Sequence, residues 1–109
     1  MDARTAAVMA WLSEALAQFP VVRSAILFGS RARGDNRERS DIDLAIDTPG
    51  ATAVEWSDVV EAIDEAPTLL TLDVLRLDDT TRAMREQIAR DGVIVYDART
   101  RVITGRMAS

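Results

Sequence analysis

Cysteine and histidine are both absent from this chain of 109 residues. Without cysteine there is no disulfide scaffold. Without either residue a zinc-type site of nitrogen and sulfur ligands is excluded, so any side-chain metal site must be built from oxygen. Aromatic residues are few, 5% of the chain, and both tryptophans, Trp11 and Trp56, fall on apolar helical stripes that assign them to core or interface rather than to a base-stacking platform. No apolar run approaches the ~20 residues needed to span a bilayer. The N-terminal segment is broken by Asp2, Arg4 and Glu14, so neither an export signal nor membrane attachment is expected, and a cytoplasmic location is the expectation. Positive charge is in deficit. A net charge of −5 and a pI near 4.6 argue against an extended nucleic-acid footprint, which needs a basic face. A local basic patch from Arg31, Arg33, Arg37 and Arg39 stands beside Asp35 and Glu38, which also fits a solvated loop of balanced charge.

What is present suffices for one small domain, since 48% of the residues are hydrophobic and the length lies in the single-domain range. Val8, Trp11, Leu12, Ala15 and Phe19 recur at helical spacing up to Pro20. A buried strand over residues 24–28 ends at Gly29. A short helical turn and a polar loop, residues 35–39, lead to a second strand over residues 41–46, broken by Thr48-Pro49-Gly50. Trp56, Val59, Val60 and Ile63 mark another amphipathic helix stopped by Pro67, and a strand over residues 69–75 follows. Residues 78–81 cap a last helix reaching Arg90, with Gly92 at its C-terminal cap before a short strand ending at Tyr96. The expected fold is α/β: a small mixed sheet with helices packed mainly on one face and the acidic site on the other. Residues 1–98 form the domain, and residues 99–109 read as a flexible tail. Tyr96 reads as strand packing, with a modification acceptor as the alternative.

The chemistry concentrates in Phe28-Gly29-Ser30-Arg31-Ala32-Arg33-Gly34 and Ser40-Asp41-Ile42-Asp43-Leu44. Gly29 permits a close backbone approach to a ligand, Ser30 adds a hydroxyl, and a helix beginning near Ala32 aims N–H groups at an anion. Arg31 and Arg33 are candidate phosphate contacts. Asp41 and Asp43 are two apart in a strand pattern, which places them on one face at roughly 6.5–7 Å along the chain. Rotamers then converge them on a shared ion or an ion pair, and paired metals ~3.5–4 Å apart clamp both oxygens of an in-line displacement. Mg²⁺ suits such hard oxygen ligands. Taken singly, a Gly-Ser pair is usually a turn, an Asp-x-Asp often only solvates a strand end, and two arginines beside a turn are often surface. Their combination in one strand-turn-strand unit points to phosphoryl chemistry.

Gly29-Ser30, ten intervening residues, and Asp41-x-Asp43 resemble the signature of the polymerase-beta-type nucleotidyltransferases, and more closely the minimal nucleotidyltransferase (MNT) domains that accompany HEPN-domain toxins. The resemblance spans residues 26–96 and implies a polymerase-beta-like fold. It also implies a third carboxylate on a later strand, and Asp73 within Leu72-Asp73-Val74-Leu75 fills that place. Asp73 would complete the metal site or act as general base; a partly exposed edge-strand aspartate is the plain alternative, because an unpaired buried carboxylate is costly.

The resemblance further implies a Mg²⁺-dependent enzyme, two ions being expected, with ATP as nucleotide donor. The catalytic and metal-binding residues would be Asp41, Asp43 and Asp73, and the nucleotide-binding residues Gly29, Ser30, Arg31 and Arg33. The implied acceptor is a tyrosine of a cognate HEPN toxin, which AMP would neutralise, making the chain an antitoxin in a hetero-oligomer with its toxin. A chain this short has no room for an acceptor domain, so another polypeptide is expected to supply the acceptor. The alternatives are a non-catalytic antitoxin that acts by binding, or a small-molecule, aminoglycoside-type nucleotidyltransferase.

Overall fold

The computed structural model describes residues 1–100 and the backbone of the short strand at residues 102–103. Helix α1, Ala3–Leu16, opens on Asp2, whose side chain accepts the Thr5 amide at 2.7 Å. It stops short of the expected Phe19. Gln18 and Phe19 instead donate to the carbonyls three residues back, Ala15 and Leu16, a tightening that lets the chain turn at Pro20, before which helical backbone is disfavoured. Strand β1, Ser24–Phe28, leads into the single turn α2, Ser30–Arg33, and strand β2, Ile42–Asp47, returns antiparallel to β1. Helix α3, Ala53–Asp64, begins with a reciprocal capping box between Thr52 and Glu55 and crosses to β3, Leu72–Arg76, parallel to β2. A 3₁₀ turn, Leu77–Asp79, and helix α4, Arg82–Asp91, capped by Thr81, precede β4, Val93–Asp97.

The result is the expected small mixed α/β sheet, in the order β3-β2-β1-β4-β5, where β5 is Val102–Ile103. Residues 99–109 read as a tail; of these, Ile103 pairs with Tyr96 and Val102 with Asp97, and residues 101 and 104–109 lie outside the described residues.

Strand alternation divides the apolar residues between two faces. In one cluster Ala25, Leu27, Ile42, Leu44, Ile46 and Tyr96 bury against Val8, Met9, Leu12 and Leu16 of α1 and Val59 and Ile63 of α3, and Val95 joins them where a register shift between β1 and β4 interrupts the alternation. Trp11 and Trp56 pack against this cluster, and Tyr96 is buried within it. Phe28, Ala45 and Ile88 form a smaller core on the opposite face with Ile26, Leu75, Leu77 and Met84. Helix α4 therefore shares the second face with the acidic residues, while α1 and α3 fill the first. Gly92 does cap α4, yet with φ −70° and ψ 143° rather than the left-handed turn usual for glycine there. Its missing side chain serves packing, since a Cβ would meet the Ile88 carbonyl and come within 2.6 Å of Ile26.

Asp2 ties the start of the chain to the rest of the domain. Beyond Thr5 it accepts from Asn36 Nδ2 at 3.0 Å and Arg31 Nη1 at 3.4 Å. The Thr5 hydrogen bonds, then Asn36 and Arg31, hold its carboxyl far below the usual range. A depressed carboxyl stabilises the fold above its unfolded pKa and loses that contribution as pH falls through the folded value. Asp2→Ala is expected to cost ~1 kcal/mol at pH 7, the usual worth of an N-cap, with the deficit shrinking in acid below about pH 4; urea titrations of both proteins at two pH values check it.

Candidate functional site

The site lies where β1 ends and β2 begins. Phe28 and Asp43 are paired across the two strands, so Gly29 emerges beside Asp43. Gly29 has φ 73° and ψ −158°, a region essentially confined to glycine. A Cβ built on it would collide with the Asp43 carboxylate. The loop backbone and the carboxylate are thus in direct contact, which only glycine permits. Ser30 and Arg31 open the α2 turn, earlier than the expected start near Ala32. Their amides have no acceptor within the turn, whereas Ala32 and Arg33 both donate to the Gly29 carbonyl at 3.1 Å. Ser30 itself is half-buried.

The carboxylates assemble across β2 and β3. Asp43 and Asp73 stand directly opposite in the parallel pairing, on strands separated by about 4.8 Å. Asp41 immediately precedes β2 and is exposed, Asp73 is exposed, and Asp43 is half-buried between them. Burial, then the negative charges of Asp73 and Asp41, push the Asp43 carboxyl above its ordinary value, and Arg33 partly opposes this. Two of the sequence-predicted acids, Asp73 and Asp41, thus act on the third, Asp43. Among the described residues no three such side chains close on one point ready to ring a metal. The set is nevertheless all-oxygen, its central member carries the strain of two like charges, and a divalent cation would relieve that strain. Asp41, Asp43 and Asp73 thus fit Mg²⁺ chemically.

A raised carboxyl destabilises the fold fully above its folded pKa, and the penalty fades as pH falls towards the unfolded value. Asp43→Asn is accordingly expected to raise the melting temperature by about 2–4 °C at neutral pH, as removal of strained site charges commonly does. The gain should vanish near pH 3, below the ordinary carboxylate range, which calorimetry at the two pH values checks.

The two arginines part company. Arg33 stays at the surface beside the acids, with Nε on Asp35 at 3.1 Å and Nη1 on Asp91 at 3.3 Å. Arg31 is 1% exposed and turns away from the site. Its Nε donates to the Ser40 carbonyl at 2.9 Å, Nη1 to Thr5 Oγ1 at 2.8 Å and Asp2 at 3.4 Å, and Nη2 to the carbonyls of Glu38 at 2.9 Å and Arg37 at 3.4 Å. All five guanidinium donors are used. The expected side-chain phosphate contact from Arg31 is therefore corrected: no donor remains for a ligand. Sequence reasoning missed this inward role, and also Asp91 as a partner of Arg33. The weak signal available was Asp2-x-x-Thr5, an N-cap pattern whose polar atoms need a third group.

The family model for polymerase beta nucleotidyltransferases matches residues 11–101. The chain belongs to this family. Among solved structures, a candidate minimal nucleotidyltransferase is 28% identical with a TM-score of 0.65, covering 85% of this chain and 95% of that one. An MNT antitoxin complex with the tri-AMPylated HEPN toxin of Shewanella oneidensis aligns at 17% identity and TM-score 0.60, over 81% of this chain and 68% of the other. A toxin-antitoxin structure with AMP-PNP aligns at 20% identity and TM-score 0.61, over 74% of this chain and 66% of the other. These last two share the fold. No curated protein matches the chain in sequence. The architecture is that of the polymerase-beta-like minimal nucleotidyltransferases, as expected from the Gly29-Ser30 and Asp41-x-Asp43 pattern. Among the described residues no helix is long and apolar enough to cross a membrane.

Proposed function

We propose that this nucleotidyltransferase-family chain transfers AMP from ATP to a hydroxyl of a partner protein, with Mg²⁺ held by Asp41, Asp43 and Asp73. The observation that supports the reading is the contact of the Gly29 backbone with the Asp43 carboxylate, which leaves no side chain between the Gly29-Ser30 turn and the acidic cluster. The cation would supply charge neutralisation for the triphosphate. The chain's own residues do the rest. The Ser30 hydroxyl and the first amides of the turn bind phosphate oxygens, and Arg33, at the rim, adds positive charge near Asp43. Asp73 takes the proton of the acceptor hydroxyl as its oxygen bonds to the α-phosphorus. The bond from the α-phosphorus to the bridging oxygen breaks, and pyrophosphate leaves.

A HEPN toxin is the proposed partner and one of its tyrosines the acceptor, which makes the chain an enzymatic antitoxin. Support comes from the fold shared with an MNT antitoxin bound to a tri-AMPylated HEPN toxin and with a toxin-antitoxin structure holding an ATP analogue. Intact-mass spectrometry of a HEPN protein encoded beside this chain, after incubation with the chain, ATP and Mg²⁺, tests it. The expected result is a mass gain of one or more AMP groups on the partner, mapped to tyrosine by fragmentation. A stable complex with no gain in mass would instead select an antitoxin that acts by binding.

A further inference from the structure

We infer that Arg31 is a positioning residue, which joins the Gly29-Ser30 turn to the carboxylates by holding the backbone immediately before Asp41. The inference rests on the proposed site but concerns a side chain that touches neither nucleotide nor metal in it.

Arg31 lies one residue beyond Ser30, on the turn that contacts Asp43. From there its fork reaches the carbonyls of Arg37, Glu38 and Ser40, so that one planar group ties down the end of the 35–40 loop. Ser40 closes the same loop on itself: its Oγ accepts the Arg37 amide at 2.8 Å, and its own amide donates to the Arg37 carbonyl at 3.1 Å. On the far side of Asp41, the Ile42 amide donates to the Thr71 carbonyl at 2.9 Å. Asp41 is exposed and lies outside the strand ladder, yet the carbonyl before it and the amide after it are both fixed. One anchor is Arg31 and the other is the lead-in to β3, the strand that carries Asp73. The remaining guanidinium edge is held by Thr5 and Asp2 at the start of α1, so the clamp is referred to the main core.

Burying a guanidinium is costly unless every donor is satisfied, and only a rigid five-donor fork serves three carbonyls and two side chains together. Lysine keeps the charge and reaches fewer of them. Misplacing a reacting group by 1 Å lowers rates by about a hundredfold, and loss of groups that orient metal ligands typically lowers metal affinity or activity by about 10–100-fold.

Arg31→Lys tests the assignment through residue-resolved amide hydrogen exchange of the full chain. The expected result is exchange at least about tenfold faster over residues 36–42 with β1 and β4 unchanged, the signature of a local opening. ATP affinity measured without divalent cation should change less than about threefold, because no phosphate contact is lost, while Mn²⁺ binding, followed by its paramagnetic resonance, weakens by about 10–100-fold. Faster exchange throughout the chain would overturn the inference in favour of general stability. A tenfold or greater loss of metal-free ATP affinity would overturn it in favour of a direct phosphate ligand. If Arg31→Lys does not fold, Thr5→Ala removes the Nη1 acceptor and should show the same local pattern at smaller amplitude. Should the wild-type chain fail to transfer AMP at all, the proposed function falls while the exchange pattern still decides the role of Arg31.

Discussion

Asp41→Asn combined with Asp43→Asn is expected to abolish AMP transfer, a loss of at least ~10³-fold, without unfolding the chain. A metal at a transferring phosphoryl group contributes several kcal/mol, and each ~1.4 kcal/mol is tenfold in rate. Asn keeps the volume and one acceptor oxygen of each side chain but removes the charge that recruits the cation. Of the two single changes, Asp43→Asn should be the more severe. Asp43 is the half-buried acid, paired across the sheet with Phe28 on one side and Asp73 on the other, whereas Asp41 is exposed ahead of the strand. Since Asp43→Asn is also expected to raise the melting temperature, the inactive protein should be the more stable one. Rates from a quenched time course, set beside melting curves of the same preparations, check both statements.

Gly29→Ala is the second large effect, and it couples stability to activity in the opposite sense. The backbone at φ 73°, ψ −158° costs a side-chain-bearing residue ~1–3 kcal/mol, and the added methyl would displace the Asp43 carboxylate. A melting temperature lower by about 5–15 °C and transfer slower by at least ~10²-fold are expected together. Gly34→Ala is the matched control. Gly34 also has positive φ, 86°, but a Cβ there meets nothing within 4 Å. It should therefore show only the left-handed penalty of ~1–2 kcal/mol, with transfer close to wild type. Equal activity losses in the two variants would mean that backbone conformation alone, and not contact with Asp43, makes Gly29 necessary.

Much of this site was legible in the chain because its signals are local. A period-two pattern puts Asp43 on a different face from Leu44, and a glycine after an apolar strand marks the turn. Both features survive folding, because β1 and β2 are adjacent and in register. What was not legible depends on contacts distant in sequence. Arg31 and Arg33 are alike in type and flank Ala32, yet Arg31 is buried by Thr5 and Asp2, 26 and 29 positions away, while Arg33 stays out beside Asp91, 58 positions on. No periodicity separates them. The position of α4 on the acidic face was likewise hidden, because an amphipathic pattern states that a helix covers a sheet but not which side. Gly92 does end α4, but the reason is close packing on Ile26 rather than the left-handed turn that a glycine there predicts.

In the proposed mechanism the Gly29-Ser30 turn and the Asp41, Asp43 and Asp73 carboxylates position the α-phosphorus of ATP for attack by the acceptor hydroxyl. Parallel incubations with a HEPN partner, using ATP labelled at either the α- or the γ-phosphorus, distinguish attack at the α-phosphorus from attack elsewhere. The expected result is Mg²⁺-dependent retention of the α-label on protein, none of the γ-label, and no α-label with Asp41→Asn/Asp43→Asn. Retention of the γ-label, or α-label undiminished by the double substitution, would contradict it.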